Sequence, residues 1–223
     1  NGFIPDYFKT IPKQLKELTA KNKKPTTSEG TIVANGTDLY VRDADTFTES
    51  PVYLIADNNA LKGITITDNE CTIGANTTVT ELLKNKHLQV TFPKLQSFLK
   101  LVSSEQIRNM GTLGGNFVNA SPIGDMTVFF LALNSTLTII DKNGNERQIP
   151  FQEFHQDYKK YDLKKGELLK SIAFQLLNHT TLFNFEKVSK RTHLDIASVN
   201  TAGMISAKNN IITDAHFSIG GTA

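Results

Sequence analysis

The spacing of hydrophobic and polar positions changes several times along the chain, and each change predicts an element. Leu15 and Leu18 share a face in a segment opening at Ile11, with Thr10 as cap and Pro12 tolerated in the first turn. This predicts a helix over 11–21, ended by the tract Lys21, Lys23, Lys24, Pro25. Short apolar runs over 31–34 and 52–56, parted by Asn35-Gly36-Thr37, predict strands beside a turn. From Gly63, the alternation Ile64-Thr65-Ile66-Thr67, the turn Asp68-Asn69-Glu70 and the run Cys71-Thr72-Ile73-Gly74 predict a hairpin. Thr78 with Glu81 three residues on is a capping box, which starts a short helix ending near Asn85. Phe92, Leu95, Phe98, Leu99 and Val102 recur at helical spacing and predict core positions. Beyond a glycine-rich stretch at 110–116, Ser121-Pro122 predicts the start of a helix running through Leu133. Strands are expected over 136–141, 169–176 and 184–190, with a turn at Asn143-Gly144-Asn145 and a last hairpin around Lys208-Asn209-Asn210. The pattern reads as an α+β fold: a small N-terminal α/β subdomain over 1–60, of which 1–10 is linker, and a larger mixed-sheet subdomain over 61–223.

Composition narrows the function classes. Lys and Arg number 24 against 22 Asp and Glu, a formal charge of +2 in 223 residues, so no long-range field selects nucleic acid. The longest apolar run, 126–133, is too short to cross a bilayer, and no basic-then-apolar leader opens the chain, so no membrane partner is expected. Cys71 is the only cysteine, which excludes a disulfide framework and a cysteine-ligated zinc or iron–sulfur site within this chain and points to a reducing, cytoplasmic setting. The chain opens on Asn1 without Met and closes on Ile219-Gly220-Gly221-Thr222-Ala223 directly after an apparent strand, so a longer parent protein is expected. P-loop, G-x-G-x-x-G and G-x-S-x-G signatures are absent. His87, His155, His179, His193 and His216 form no i, i+4 pair, which leaves no local metal motif.

Two segments are dense in small and hydrogen-bonding residues: Val33-Ala34-Asn35-Gly36-Thr37-Asp38-Leu39 and Gly111-Thr112-Leu113-Gly114-Gly115-Asn116. Without bulky Cβ groups, successive backbone N–H groups can converge on an anion and bind phosphate without Lys or Arg. Either segment alone also reads as a tight turn. Their joint occurrence shifts the reading toward a diphosphate ligand held between subdomains.

The ordered blocks ANGTDL over 34–39, TIGANTTVTEL over 72–82, QIRNMGTLGGNFVNASPIGD over 106–125 and EKVSKRTHLDIASV over 186–199 resemble the FAD-binding domain of the molybdenum hydroxylases. Within that family they are most similar to the flavin section of xanthine dehydrogenases, the FAD subunit of the bacterial enzymes. The resemblance implies the two-subdomain FAD-binding fold of the vanillyl-alcohol oxidase (PCMH) type. It implies that Ile32, Val33, Ala34, Asn35, Gly36, Thr37, Asp38 and Leu39 wrap the FAD pyrophosphate with backbone amides. Asn35 stands where many relatives carry Gly, a departure attributed to the tolerance of Asn for positive φ. Thr112 matches a hydroxyl donor to the diphosphate, Gly114 and Gly115 allow close backbone approach, and Asn116 and Asp125 match polar contacts. Val102 belongs to the same cofactor-binding set, Leu169 matches an apolar contact near the adenine, and Lys187 a basic contact on the flavin side. Arg191 and Asp195 fall in the family's next segment. Plain readings stand beside these: Leu169 as core, Asp125 serving only the first turn of its helix.

The resemblance also implies partners: an iron–sulfur domain and a molybdopterin-binding subunit, with iron–sulfur and C-terminal flavoprotein domains outside this chain. FAD would collect electrons from [2Fe-2S] clusters and deliver hydride to NAD, so no acid–base residues or metal ligands are expected here. Two rivals remain: a stand-alone flavin reductase or oxidase of the same fold, such as the UDP-N-acetylenolpyruvoylglucosamine reductases, and a non-catalytic docking module with a degenerate flavin site.

Overall fold

A computed structural model describes residues 3–17, 30–45 and 50–222. Helix α1, Ile11–Glu17, follows a 3-10 turn at Asp6–Lys9. Thr10 opens α1 with its carbonyl, which accepts from the amides of Lys13 and Gln14 at 3.1 Å, while its hydroxyl donates back to the Tyr7 carbonyl at 2.8 Å. The expected continuation to Lys21, with the Lys23, Lys24 and Pro25 tract, lies outside the described residues.

Strands β1 (Thr31–Val33) and β2 (Val52–Leu54) form a two-stranded parallel pair, and between them the chain turns through residues 34–38 into helix α2 (Leu39–Arg42). The expected hairpin is strands β3 (Ile64–Thr67) and β4 (Glu70–Gly74). The capping box forms as its residue types require: Glu81 N–H donates to Thr78 Oγ1 at 3.2 Å and Thr78 N–H to the Glu81 carboxylate at 2.7 Å, starting helix α3 (Val79–Lys84).

Helical spacing from Phe92 to Val102 marks buried residues correctly, yet no single helix spans them. Helix α4 (Lys86–Thr91) stops at Phe92, whose φ of −122° and ψ of 88° lie outside the helical region that a residue before proline, here Pro93, disfavours. Helix α5 (Leu95–Lys100) then starts afresh, followed by α6 (Glu105–Met110) and α7 (Leu113–Asn119). The helix expected from Ser121 begins only at Asp125, as α8 (Asp125–Leu131), because residues 121–124 form a turn closed by Gly124 N–H to the Ser121 carbonyl at 3.0 Å.

Strands β5 (Thr136–Ile140), β6 (Glu146–Pro150) and β9 (Leu168–Gln175) join the first hairpin in a five-stranded sheet of order β3-β4-β9-β5-β6, antiparallel at every pairing. Ile172 in the central strand faces Ile73 on one side and Leu137 on the other, and all three are buried. Between β6 and β9 lie a short helix, α9 (Phe151–Phe154), and the small hairpin β7 (His155–Asp157) and β8 (Lys160–Tyr161). Strands β10 (Thr181–Val188), β11 (Val199–Lys208) and β12 (Ile211–Gly220) make a separate antiparallel sheet. Phenylalanines join this sheet to the helices: Phe183 lies 4.7 Å from Phe129 of α8, centroid to centroid, and Phe185 lies 6.0 Å from Phe98 of α5. Burying such rings drives the assembly, since each removes a large apolar area from water. Among the described residues no helix is long and apolar enough to cross a membrane.

A cleft between two glycine segments

A cleft of about 570 Å³ opens between the turn after β1, the corner joining α6 to α7, the start of α8, residues 161–169 and residues 195–197. That volume suits a small-molecule or cofactor site. Ile32, Ala34, Asn35, Gly36, Thr37, Asp38, Leu39, Val102, Thr112, Gly114, Gly115, Asn116, Asp125, Leu169 and Lys187 all line it. Val33, the remaining residue selected from sequence, points into the core and is 1% exposed. Asp195 also lines the cleft, whereas Arg191 stands behind it and holds the Asp195 carboxylate with its backbone N–H at 2.9 Å and its guanidinium at 3.2 Å.

The first glycine segment is a turn with its donors turned loose. The backbone N–H groups of Asn35, Gly36, Thr37, Asp38 and Leu39 find no acceptor among the described residues. Gly36 adopts φ +68°, and a Cβ there would run into the Tyr40 ring, so glycine is required on both counts. The left-handed position is therefore Gly36, and the expectation that Asn35 occupies positive φ is corrected: Asn35 is absent from that region. Its side-chain amide instead donates to the Met110 carbonyl at 2.7 Å, tying the turn to the end of α6 across the cleft.

The second segment leads into the first turn of helix α7, and its amides from Leu113 to Asn116 are already spent. Leu113 N–H bonds Thr77 O at 3.1 Å, Gly114 N–H bonds Ala75 O at 2.7 Å, and Asn116 N–H bonds Thr112 O at 3.1 Å. Gly115 N–H donates to Thr112 Oγ1 at 3.1 Å, which makes Thr112 the N-cap. A Cβ on Gly114 would sit 3.0 Å from the Ala75 Cβ and 3.1 Å from its carbonyl oxygen, so the glycine lets α7 press onto the loop after β4. Asn116 accepts on its side-chain oxygen from Thr127 N–H at 3.1 Å and the Thr127 hydroxyl at 3.2 Å, fastening α7 to α8.

The buried charges beside the cleft are paired. Lys187 Nζ reaches Asp125 Oδ2 at 2.7 Å and the Leu101 carbonyl at 3.0 Å, with only 3% of the lysine side chain exposed. The other Asp125 oxygen accepts from Asn200 Nδ2 at 2.7 Å, and that amide also donates to Ile123 O at 3.1 Å. Asn200 Oδ1 is buried without a partner among the described residues and packs against Gly220, where any Cβ would strike it. Arg108 closes the end of α5, donating to the carbonyls of Val102 and Ser103 at 2.8 Å each. Arg147 holds Glu167 in a two-pronged pair, and this guanidinium keeps the Glu167 carboxyl down to about 2, well below the usual carboxylate range. Sequence reasoning missed Arg108, Tyr161, Leu163, Glu167 and Asn200. Pairing Asn200 with Asp125 or Arg147 with Glu167 spans 75 and 20 residues, beyond any local pattern.

A helix-flanked antiparallel sheet, with a small parallel pair closing a cleft against it, is the architecture of the two-subdomain, PCMH-type FAD-binding fold. The carbon monoxide dehydrogenase of Hydrogenophaga pseudoflava superposes on it with a TM-score of 0.77 at 22% identity, over 85% of this chain and 66% of that one. The chain belongs to the family described as the FAD binding domain in molybdopterin dehydrogenase, whose model matches residues 6–174. Relatives include the xanthine dehydrogenase of Oryza sativa subsp. japonica, 39% identical over 132 residues, and the glyceraldehyde dehydrogenase medium chain of Sulfolobus acidocaldarius, 32% identical over 175 residues. These alignments take in 56% and 77% of this chain, but only 9% and 61% of the relatives' own lengths.

Proposed function

We propose that the cleft holds FAD and that the protein is the flavin-bearing electron-transfer section of a molybdenum hydroxylase. In this reading it takes electrons from [2Fe-2S] clusters of a partner domain, fed by a molybdopterin-binding subunit, and passes hydride to NAD. The observation that carries it is the run Asn35, Gly36, Thr37, Asp38 and Leu39, whose backbone amides have no acceptor among the described residues and which line a cleft of about 570 Å³. A diphosphate needs several convergent donors, and these amides supply them without a cationic side chain. The absence of bulk at Gly36 and Gly115, both lining the cleft, fits a cofactor backbone passing close by.

Bound FAD would supply the redox chemistry, exchanging electrons one or two at a time. This chain's residues bind and orient it. The turn over 34–39 would seat the anionic middle of the cofactor. Val102 and Leu169, both buried in the cleft wall, would exclude water from its aromatic parts. Asp125 would act only within limits set by its pairing with Lys187, which leaves the lysine little freedom to reach elsewhere. Purified protein mixed with FAD and passed through gel filtration tests the reading. We expect a yellow protein carrying one flavin per chain; protein that stays colourless at saturating FAD overturns it. Flavin-loaded protein should also reduce a dye from NADH, and failure to do so removes the NAD step.

A further inference from the structure

Arg147 lies on β6 and does not line the cleft, yet it grips the segment that forms one of its walls. Its Nε and Nη2 donate to the two Glu167 oxygens at 2.9 and 2.7 Å, its Nη1 to Asp162 Oδ2 at 2.8 Å, and its Nη2 also to the Asp162 carbonyl at 2.9 Å. Lys164 N–H adds a bond to Glu167 Oε2 at 2.8 Å, so residues 162–167 are gathered around one guanidinium. Inside that span Gly166 sits at φ +87° with open space where a Cβ would be, and besides the guanidinium the span is held by backbone bonds from Asp162 N–H to Phe154 O at 2.9 Å and from Glu167 N–H to Lys164 O at 3.0 Å. The span begins and ends on cleft-lining residues: Tyr161 and Leu163 on one side, Leu168 and Leu169 on the other. A planar fork with fixed donor directions can define such a loop, and a flexible ammonium cannot.

We infer that Arg147 is a positioning residue for the cleft ligand: it sets ligand affinity by holding the wall over 161–169 in shape, without touching the ligand. The inference rests on the reading that the cleft holds FAD. Arg147→Lys keeps the charge and removes the fork, and Arg147→Met removes both. Fluorescence titration with FAD should show the Kd rising roughly three- to thirtyfold in Arg147→Lys, the range of coupling through a packed network, and further in Arg147→Met. Thermal unfolding without flavin shows whether each variant is folded; if Arg147→Met is not, Arg147→Lys and Asp162→Asn carry the test.

A general loss of structure would weaken binding irrespective of wall, so double-mutant cycles provide the deciding readout. Arg147→Lys should be non-additive with Leu169→Ala, on the wall it holds, and additive with Thr37→Ala, on the other. A Kd within twofold of wild type in folded Arg147→Lys, or equal coupling to Leu169 and Thr37, overturns the inference. Wild-type protein that takes up no FAD overturns the reading of the cleft instead, which keeps the two failures apart.

Discussion

The two glycine segments face one cleft and are built on opposite principles. In the turn at 34–39 the backbone amides from Asn35 to Leu39 have no acceptor among the described residues, and the single indispensable glycine, Gly36, serves backbone conformation. In the corner at 112–116 every amide from Leu113 to Asn116 is bonded within the protein, and Gly114 serves close packing against Ala75. Similar composition therefore hides a division of labour: one segment leaves its donors open beside the cleft, the other spends them on building the cleft wall. Glycine content alone does not identify an anion cradle; the fate of the N–H groups does.

If that division holds, substitutions should separate stability from binding. The largest effect is expected where the corner's framework is charged. Lys187→Met leaves Asp125 buried without its cation and should cost about 3–5 kcal/mol in denaturant unfolding, while Lys187→Met with Asp125→Leu should recover much of that loss. Gly114→Val comes next. Its Cβ must displace Ala75, and about 1–3 kcal/mol of stability should be lost, visible as a lower Tm with or without flavin. Gly36→Val should weaken FAD at least tenfold, about 1.4 kcal/mol, in addition to the stability it costs through its positive φ and the Tyr40 ring. Should folded Gly36→Val bind FAD as wild type does while folded Gly114→Val loses it, the comparison is inverted. The smallest effect belongs to Asn35→Ala, which removes one bond to Met110 O and should cost about 0.5–1.5 kcal/mol, read most directly as faster flavin release.

Local chemistry was well written in the sequence. The capping box at Thr78 and Glu81, the β3–β4 hairpin and the cleft-lining character of both glycine segments all follow from patterns a few residues long. Misreadings arose where tertiary contacts outweigh local preference. Gly114 and Gly115 disfavour a helix intrinsically, yet α7 runs through them because Thr112 caps it and Ala75 receives it. Asn35 suggested a backbone role because it stands where many relatives carry Gly, whereas its side chain spans 75 residues to Met110. Arg147 sits in a strand whose alternating burial announces nothing of the carboxylates it meets from residues 162 and 167.

The match to the family model ends at residue 174, but the cleft does not. Lys187 and Asn200, which fix the Asp125 carboxylate, come from β10 and β11, 62 and 75 residues later in the chain. On a ribosome, Asp125 thus emerges well before the groups that neutralise and orient it. A nascent chain halted near residue 174 would carry both glycine segments and still present an unpaired, half-enclosed carboxylate. Cofactor capture should accordingly be a late event of synthesis, timed by the β10-β11-β12 sheet rather than by the two glycine segments, and arrested chains of increasing length, assayed for bound FAD, should begin to retain it only once Asn200 has cleared the exit tunnel.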